Sequence, residues 1–218
     1  MINQPPYLCP VFTSKGGSAK TTTTTNVAAG LVARGRSVLV IDRDPQLSFL
    51  NTAQKAESQG NPMPFRVLAD FPDEEPAETY ILVDHPPRVD ADNRPLEEAA
   101  CVIIPVGPGR HDRNSIEQVA ELFESFGDRA LFFWSRIDNR SPKQKKLTEG
   151  TDWPVIRYLA GIFEANELGT TVYSKDPATK SRFKEARNDY DVLVESVIRH
   201  VEGQDANTDL VDSKGEQA

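Results

Sequence analysis

Residues Thr13–Thr25 read TSKGGSAKTTTTT, and the fold is decided by what stands on either side of them. Before them, Leu8–Phe12 is a short apolar run. After them, NVAAGLVARG carries small and apolar residues on one helical face and stops at Gly35. A glycine-rich turn between a strand and a helix is the setting in which backbone N–H groups can face a polyphosphate. Gly16 and Gly17 permit the tight turn and the close approach. Lys20 is placed to reach β- and γ-phosphates, the Thr21 hydroxyl to ligate Mg²⁺, and the helix start to present its positive end. The common signature GxxxxGK[ST] is met only in part, since Ser14 and Lys15 stand where its first glycine falls and Ala19 precedes Lys20. A plain Gly/Ser/Thr-rich loop is the alternative for the segment taken alone.

Working outward, the same alternation repeats. SVLVID ends a buried strand on Asp42, ILVD ends another on Asp84, and CVIIPV and RALFFWSRI are two more apolar runs. A short strand is expected in PVIRYLAG. Amphipathic helices are expected at SIEQVAELFESF, with Ile116, Val119, Leu122, Phe123 and Phe126 on one face, and at ATKSRF through HVEG near the end. Pro10 is awkward in a central strand, because it lacks an N–H donor, and is expected near that strand's start. The proline- and acid-rich stretch 60–79 reads as a surface loop or a short edge element. Near-continuous apolar strands alternating with helices mean an α/β fold, a mostly parallel doubly wound sheet with helices on both faces. Residues 1–200 read as one domain, and the polar, acidic stretch 201–218 as a disordered tail.

Composition narrows the function. The chain has 218 residues, 38% of them apolar, and a net charge of −8, which disfavours a strongly basic nucleic-acid binder of the usual kind while leaving room for a local basic patch. Its two cysteines, Cys9 and Cys101, lie in or beside apolar runs and read as buried thiols rather than a disulfide framework. The start, MINQPPYLCPVF, has neither the basic segment nor the apolar core of a signal peptide, and no run approaches the ~18 apolar residues of a membrane span. The cytoplasm is the expected location.

In an open α/β sheet, ligands sit at the carboxyl ends of the strands. VLVIDRDPQ places Asp42 and Asp44 there, and ILVDHPP adds Asp84. Carboxylates beside a phosphate loop suit Mg²⁺ and water positioning. His85 reads as a packing or hydrogen-bonding residue rather than a general base.

KGGSAKTT resembles the deviant Walker A sequence of ParA-, MinD- and Soj-like ATPases, whose usual form is KGGxGKT. DRDPQ is similar to the DxDPQ box of that family and ILVDHPP to its Walker B. The resemblance covers roughly residues 8–200 and is closest to the short plasmid-type partition ATPases. It implies a P-loop NTPase fold, ATP and Mg²⁺ as ligands, and Mg-dependent hydrolysis of ATP to ADP and phosphate. Lys15 then matches the signature lysine, which reaches nucleotide in the partner subunit of a sandwich dimer. Lys15, Gly16, Gly17, Ser18, Ala19, Lys20, Thr21 and Thr22 match the phosphate-binding stretch. Asp44 matches the aspartate that positions the attacking water, while Thr21, Asp42 and Asp84 match the Mg²⁺ shell. Ser135 and Arg136 stand where the family has an Asn–Arg pair beside adenine. Ala19 replaces the family glycine, a methyl group that fits right-handed helical dihedrals.

ANELGTTVYSKDPATKSRFKEA resembles the family element leading into its last helix. Lys175, Lys180, Arg182, Lys184 and Arg187 match its basic, DNA-binding region, with Lys180, Lys184 and Arg187 spaced for one helical face. A solvated face balanced by Glu185, Asp189 and Asp191 is the alternative. Lys143, Lys145 and Lys146 read as ordinary surface. What the resemblance implies is an ATP-dependent homodimer that holds non-specific DNA on the nucleoid and drives plasmid partition. Its partner would be a ParB-like or centromere-binding adaptor, and no membrane takes part. Positioning of a microcompartment or chemotaxis array is the alternative within the fold, and a weakly hydrolysing interaction or regulatory protein the alternative outside it.

Overall fold

The computed structural model describes residues 5–13, 19–58, 60–86, 93–109, 121 and 124–215, with side chains as far as 203. Its strands are β1 (Tyr7–Val11), β2 (Val38–Asp42), β3 (Arg66–Leu68), β4 (Tyr80–Asp84), β5 (Val102–Val106), β6 (Ala130–Ile137) and β7 (Val155–Arg157). They form one sheet in the order β3-β2-β4-β1-β5-β6-β7, and every pairing is parallel. The helices are α1 (Lys20–Ala33), α2 (Ser48–Ser58), α3 (Arg94–Glu97), α4 (Pro142–Thr148), α5 (Ala160–Glu167), α6 (Pro177–Lys180) and α7 (Lys184–Gly215). The expected helix at 115–126 lies mostly outside the described residues.

Each strand divides its side chains between two cores, as a period of two requires. From β2, Val38 and Val40 join Val27 and Leu31 of α1 and Tyr190, Val194 and Val197 of α7. Leu39 and Ile41 point the other way, toward Ile81 and Val83. Phe12, Val102, Ile104 and Phe132 continue that second face. Helices cover both sides, as the continuous apolar runs predict.

Pro10 is the fourth of five residues in β1, a central strand, and not near its start. The register explains why it fits. Tyr7 N–H donates toward β4, at the Thr79 carbonyl, whereas Phe12 N–H donates to Ile103 of β5 and the Leu8 carbonyl accepts from Ala100. Even-numbered residues therefore face β5, where Val11 is paired with Ile103, and the missing donor of Pro10 falls on that side.

Thr-rich α1 is a weak helix former by propensity. Its buried hydroxyls and amide bond back one turn: Thr24 Oγ1 to Lys20 O (3.1 Å), Thr25 Oγ1 to Thr21 O (2.8 Å) and Asn26 Nδ2 to Thr22 O (2.8 Å). Packing supplies the rest. Gly30 lets α7 and the α5–α6 loop close on α1, since a Cβ there would lie 2.6 Å from Val194 Cγ2 and 2.8 Å from the Tyr173 hydroxyl. Around that contact, Arg34 pairs with Asp191 and Glu195, and Arg36 with Glu202.

The expected long terminal helix is two helices, because residues 181–183 form a turn between α6 and α7. α7 continues past residue 200, and Val201 is still buried in the core. Cys9 and Cys101 are buried and free. Among the described residues no helix is long and apolar enough to cross a membrane.

Candidate functional site

The register of the sheet builds the site. Val11 stands opposite Asp84, and Asp42 opposite Asp84, so three strand ends lie level where the chain leaves β1. From there α1 begins at Lys20. Ala19 offers its N-terminus no side-chain cap, and the first helical N–H with a partner inside the helix is that of Thr23, to Ala19 O. A helix start of this kind offers backbone N–H groups that suit an anion. Lys15, Gly16, Gly17 and Ser18 lie outside the described residues.

Thr21 Oγ1 donates to Asp84 Oδ2 at 2.6 Å. Asp84 is buried, and its Oδ1 has no hydrogen-bond partner among the described residues. Burial raises its pKa to about 6, against the bond from Thr21 that favours the charged form. Lys20 is also buried; desolvation lowers its pKa, opposed by Asp84 and Asp44. A buried lysine beside buried carboxylates, with one carboxylate oxygen unmatched, is an arrangement that a cation and a polyanion complete.

Asp42 is fully buried and used differently. Its Oδ1 accepts from Asp44 N–H (3.2 Å) and its Oδ2 from Leu50 N–H (2.9 Å), so it fixes the loop that carries Asp44 and caps α2 from a distance. Asp44 lines the cleft and accepts from Gln46 N–H at 2.9 Å.

The oxygen donors fit Mg²⁺. Thr21 spends its proton on Asp84 and keeps lone pairs to ligate, Asp84 Oδ1 has no partner among the described residues, and both are hard ligands. Among the described residues no three His, Cys, Asp or Glu side chains converge as a metal cage. Few protein ligands is how Mg²⁺ is held when substrate phosphates and water supply the rest. Such an ion would neutralise charge on the transferred phosphoryl group. His85 packs edge-on against Phe12, with ring centroids 5.4 Å apart, and its Nδ1 lies 3.0 Å from Pro86 O, away from any such role.

A cleft of about 350 Å³ joins Ala19, Lys20, Thr21 and Thr22 to Asp44, Ser135 and Arg136. Ser135 is buried, and Arg136 is the exposed residue of a β-bulge, at φ 62°. Bulges re-aim side chains at sites, and nothing in the sequence announces this one. Ala19 is left-handed, at φ 68° and ψ 25°, and not in the right-handed dihedrals that suit its methyl group. The backbone keeps the conformation a glycine favours.

Sequence reasoning missed Asn166, on α5. Its Nδ2 donates to Thr22 Oγ1 at 3.1 Å, across 144 residues of sequence. Only the fold brings it there.

The basic residues are spread over separate elements. Lys175, Lys180 and Lys184 are exposed, with Lys180 ending α6 and Lys184 starting α7. Arg182 pairs with Glu164. Half-buried Arg187 donates from Nε to Val172 O (3.0 Å) and from NH2 to Lys180 O (3.3 Å), tying the α5–α6 loop to α7. The single helical face expected for Lys180, Lys184 and Arg187 is broken by the turn between α6 and α7.

Residues 11–203 match the model of the CobQ/CobB/MinD/ParA nucleotide binding domain. A maintenance of carboxysome distribution protein A from Halothiobacillus neapolitanus is 29% identical over 134 residues, 57% of this chain and 62% of that relative's length. Among solved structures, a plasmid partition protein of Borrelia burgdorferi bound to AMPPNP superposes with a TM-score of 0.67 at 15% identity, over 88% of this chain and all of the other. MinD of Aquifex aeolicus gives 0.58 at 20% identity, over 84% and 96% of the two chains.

Proposed function

The chain belongs to the CobQ/CobB/MinD/ParA nucleotide-binding family, and from that membership we propose that it works as an ATP-driven positioning protein for a cellular cargo. Its domain is the Walker A ATPase domain of that family, with a site for ATP and Mg²⁺. The observation that carries the proposal is the Thr21–Asp84 pair at the strand ends, beside Lys20 at the uncapped start of α1. In the proposed cycle Lys20 and the α1 N-terminus hold the phosphates, while Thr21 and Asp84 hold Mg²⁺. Asp44 orients the attacking water on the loop that Asp42 fixes. Lys15 reaches across a homodimer to the partner's nucleotide. The ATPase domain takes in Val201, which α7 packs into the core, and Glu202, which pairs with Arg36.

For the cargo, the likeness to a carboxysome distribution protein favours a protein microcompartment. Plasmid DNA is the second reading, favoured by the likeness to a plasmid partition protein. In either reading the chain would work with an adaptor that couples it to cargo and would hold non-specific DNA through the region of Lys175, Lys180, Arg182, Lys184 and Arg187. Phosphate contacts of that kind are salt-dependent and indifferent to sequence.

DNA co-sedimentation at low salt with ATP, ADP or no nucleotide, with light scattering in the same buffers, tests the proposal. ATP-dependent dimerisation and DNA binding, both lost in Lys15→Ala and Lys20→Ala, are expected. Dimerisation without DNA binding removes the basic region from the scheme. No effect of nucleotide on either property overturns the switch.

A further inference from the structure

A buried side chain ties the segment between α5 and α7 to the phosphate end of α1. Asn26 is fully buried and uses both ends of its amide: Nδ2 donates to Thr22 O at 2.8 Å, and Oδ1 accepts from Val172 N–H at 2.9 Å. Thr22 lines the nucleotide cleft. Val172 is also fully buried, and its carbonyl accepts from Arg187 Nε at 3.0 Å, while Arg187 NH2 donates to Lys180 O at 3.3 Å. The run of bonds therefore starts at a carbonyl on the first turn of α1 and ends at the last residue of α6.

Neither Asn26 nor Val172 can lose its partner without a penalty. A polar group stranded in a dry interior gives up its hydrogen bond and gains no water. Displacement of Thr22 therefore carries Asn26 and the Val172 peptide unit with it. A separate contact holds the same segment at the far end of α1, where the Tyr173 hydroxyl donates to Asp191 Oδ1 (2.9 Å) and Asp191 pairs with Arg34. Arg187 is half-buried and turns its donors inward, onto backbone carbonyls, whereas Lys175, Lys180 and Lys184 are exposed. A guanidinium used in this way fixes where the neighbouring lysines stand, and is badly placed to meet a DNA phosphate itself.

We propose that Asn26, Val172 and Arg187 form a mechanical link from the phosphate end of α1 to the lysine-bearing segment 175–184, with Arg187 a positioning residue and not a DNA contact. The proposal rests on the nucleotide-binding reading of the cleft and adds to it how occupancy is passed to a second surface. Nucleotide seated on the first turn of α1 steadies Thr22, Asn26 and the Val172 peptide unit. Arg187 carries that order to the end of α6.

Hydrogen–deuterium exchange of the full chain with Mg²⁺, with and without a saturating non-hydrolysable ATP analogue, tests this. In the wild type the analogue is expected to slow exchange about fivefold in peptides covering 20–30, 171–176 and 178–184, the value of one strengthened hydrogen bond. In Arg187→Ala the protection is expected to stop at 171–176. Asn26→Asp keeps an acceptor for Val172 but sets a carboxylate oxygen against the Thr22 carbonyl, and protection is expected to be confined to 20–30. Arg187 is near the surface, so the link can be cut there even if the Asn26 variant does not fold. In DNA binding with the analogue, Arg187→Lys keeps the charge but not the fork, and is expected to weaken affinity about fivefold. Wild-type DNA affinity in Arg187→Lys would make Arg187 a phosphate contact and overturn its positioning role. Two exchange results overturn the link while the nucleotide site stands: protection confined to 20–30 in the wild type, or wild-type protection of 178–184 in Arg187→Ala. No protection by the analogue anywhere removes the nucleotide site, and the link with it.

Discussion

Thr21 and Asp84, 63 residues apart in sequence, share a 2.6 Å hydrogen bond, and the other oxygen of Asp84 is buried with no partner among the described residues. The pair joins the phosphate-binding helix to the end of a central strand. It also stores an electrostatic cost, because a carboxylate held out of water prefers its proton.

That cost has a sign and a window. Burial raises Asp84 from 3.8 to about 6, so between those values the folded protein keeps a proton that the unfolded chain releases. Stability therefore falls as pH rises through the window and stays lower above it, by at most about 3 kcal/mol. Asp84→Asn is expected to raise the melting temperature of the nucleotide-free protein at pH 8 more than at pH 4, and to abolish ATP hydrolysis. Mg²⁺ competes with that proton, so Mg-dependent nucleotide binding should weaken below about pH 6. Thermal melts across pH, without Mg²⁺ or nucleotide, give the first result; titration calorimetry gives the second.

Ala19 sits at φ 68° without a glycine's freedom. A left-handed residue with a Cβ costs roughly 1–2 kcal/mol, and glycine returns part of that in unfolded-chain entropy. Ala19→Gly is expected to stabilise the protein by about 0.5–1 kcal/mol. A urea midpoint unchanged or lowered at constant slope contradicts the strain.

Asn166 donates to the Thr22 oxygen and so leaves the Thr22 proton for an acceptor in the cleft. Asn166→Ala is expected to weaken ADP binding about fivefold, the value of one hydrogen bond, without changing adenosine binding. Asn166→Asp should cost more, since its carboxylate takes the Thr22 proton and adds negative charge. Equal losses for ADP and adenosine would mean that Asn166 shapes the cleft and does not orient Thr22.

Gly30 is where α1 meets α7 most closely, with Val194 and Tyr173 inside the reach of an added methyl. Alanine is the better helix former by about 1 kcal/mol, but overpacking costs about 1–3 kcal/mol. Gly30→Ala is expected to lower stability by up to about 2 kcal/mol, read as a fall in melting temperature.

The strands were legible because a buried parallel strand is an unbroken apolar run: Val38–Asp42, Tyr80–Asp84 and Val102–Val106 stand where such runs end. Asp42 and Asp84 were legible for the same reason, being the first charges after those runs. Features set by pairing were not. The tolerance of Pro10 depends on which neighbour its nitrogen faces, and the bulge at Arg136 on register with β7. β3 has one residue exposed and two half-buried, too short and too polar to stand out from its proline-rich surroundings as more than a possible edge element. The break between α6 and α7 follows no glycine or proline at 181–183. Asn166 could not be found from its neighbours in sequence, because its partner is made 144 residues earlier.

That ordering reaches into synthesis. Helix α1 emerges from the ribosome early, yet what covers it comes late: Asn26 waits for Val172, Arg34 for Asp191 and Glu195, and Arg36 for Glu202. Until α7 is translated, Val27 and Leu31 lack the part of their core that α7 supplies, and the nascent chain carries an apolar flank of the kind chaperones shield. A ribosome stalled before α7 thus holds a chain whose α1 lacks the ion pairs of Arg34 and Arg36.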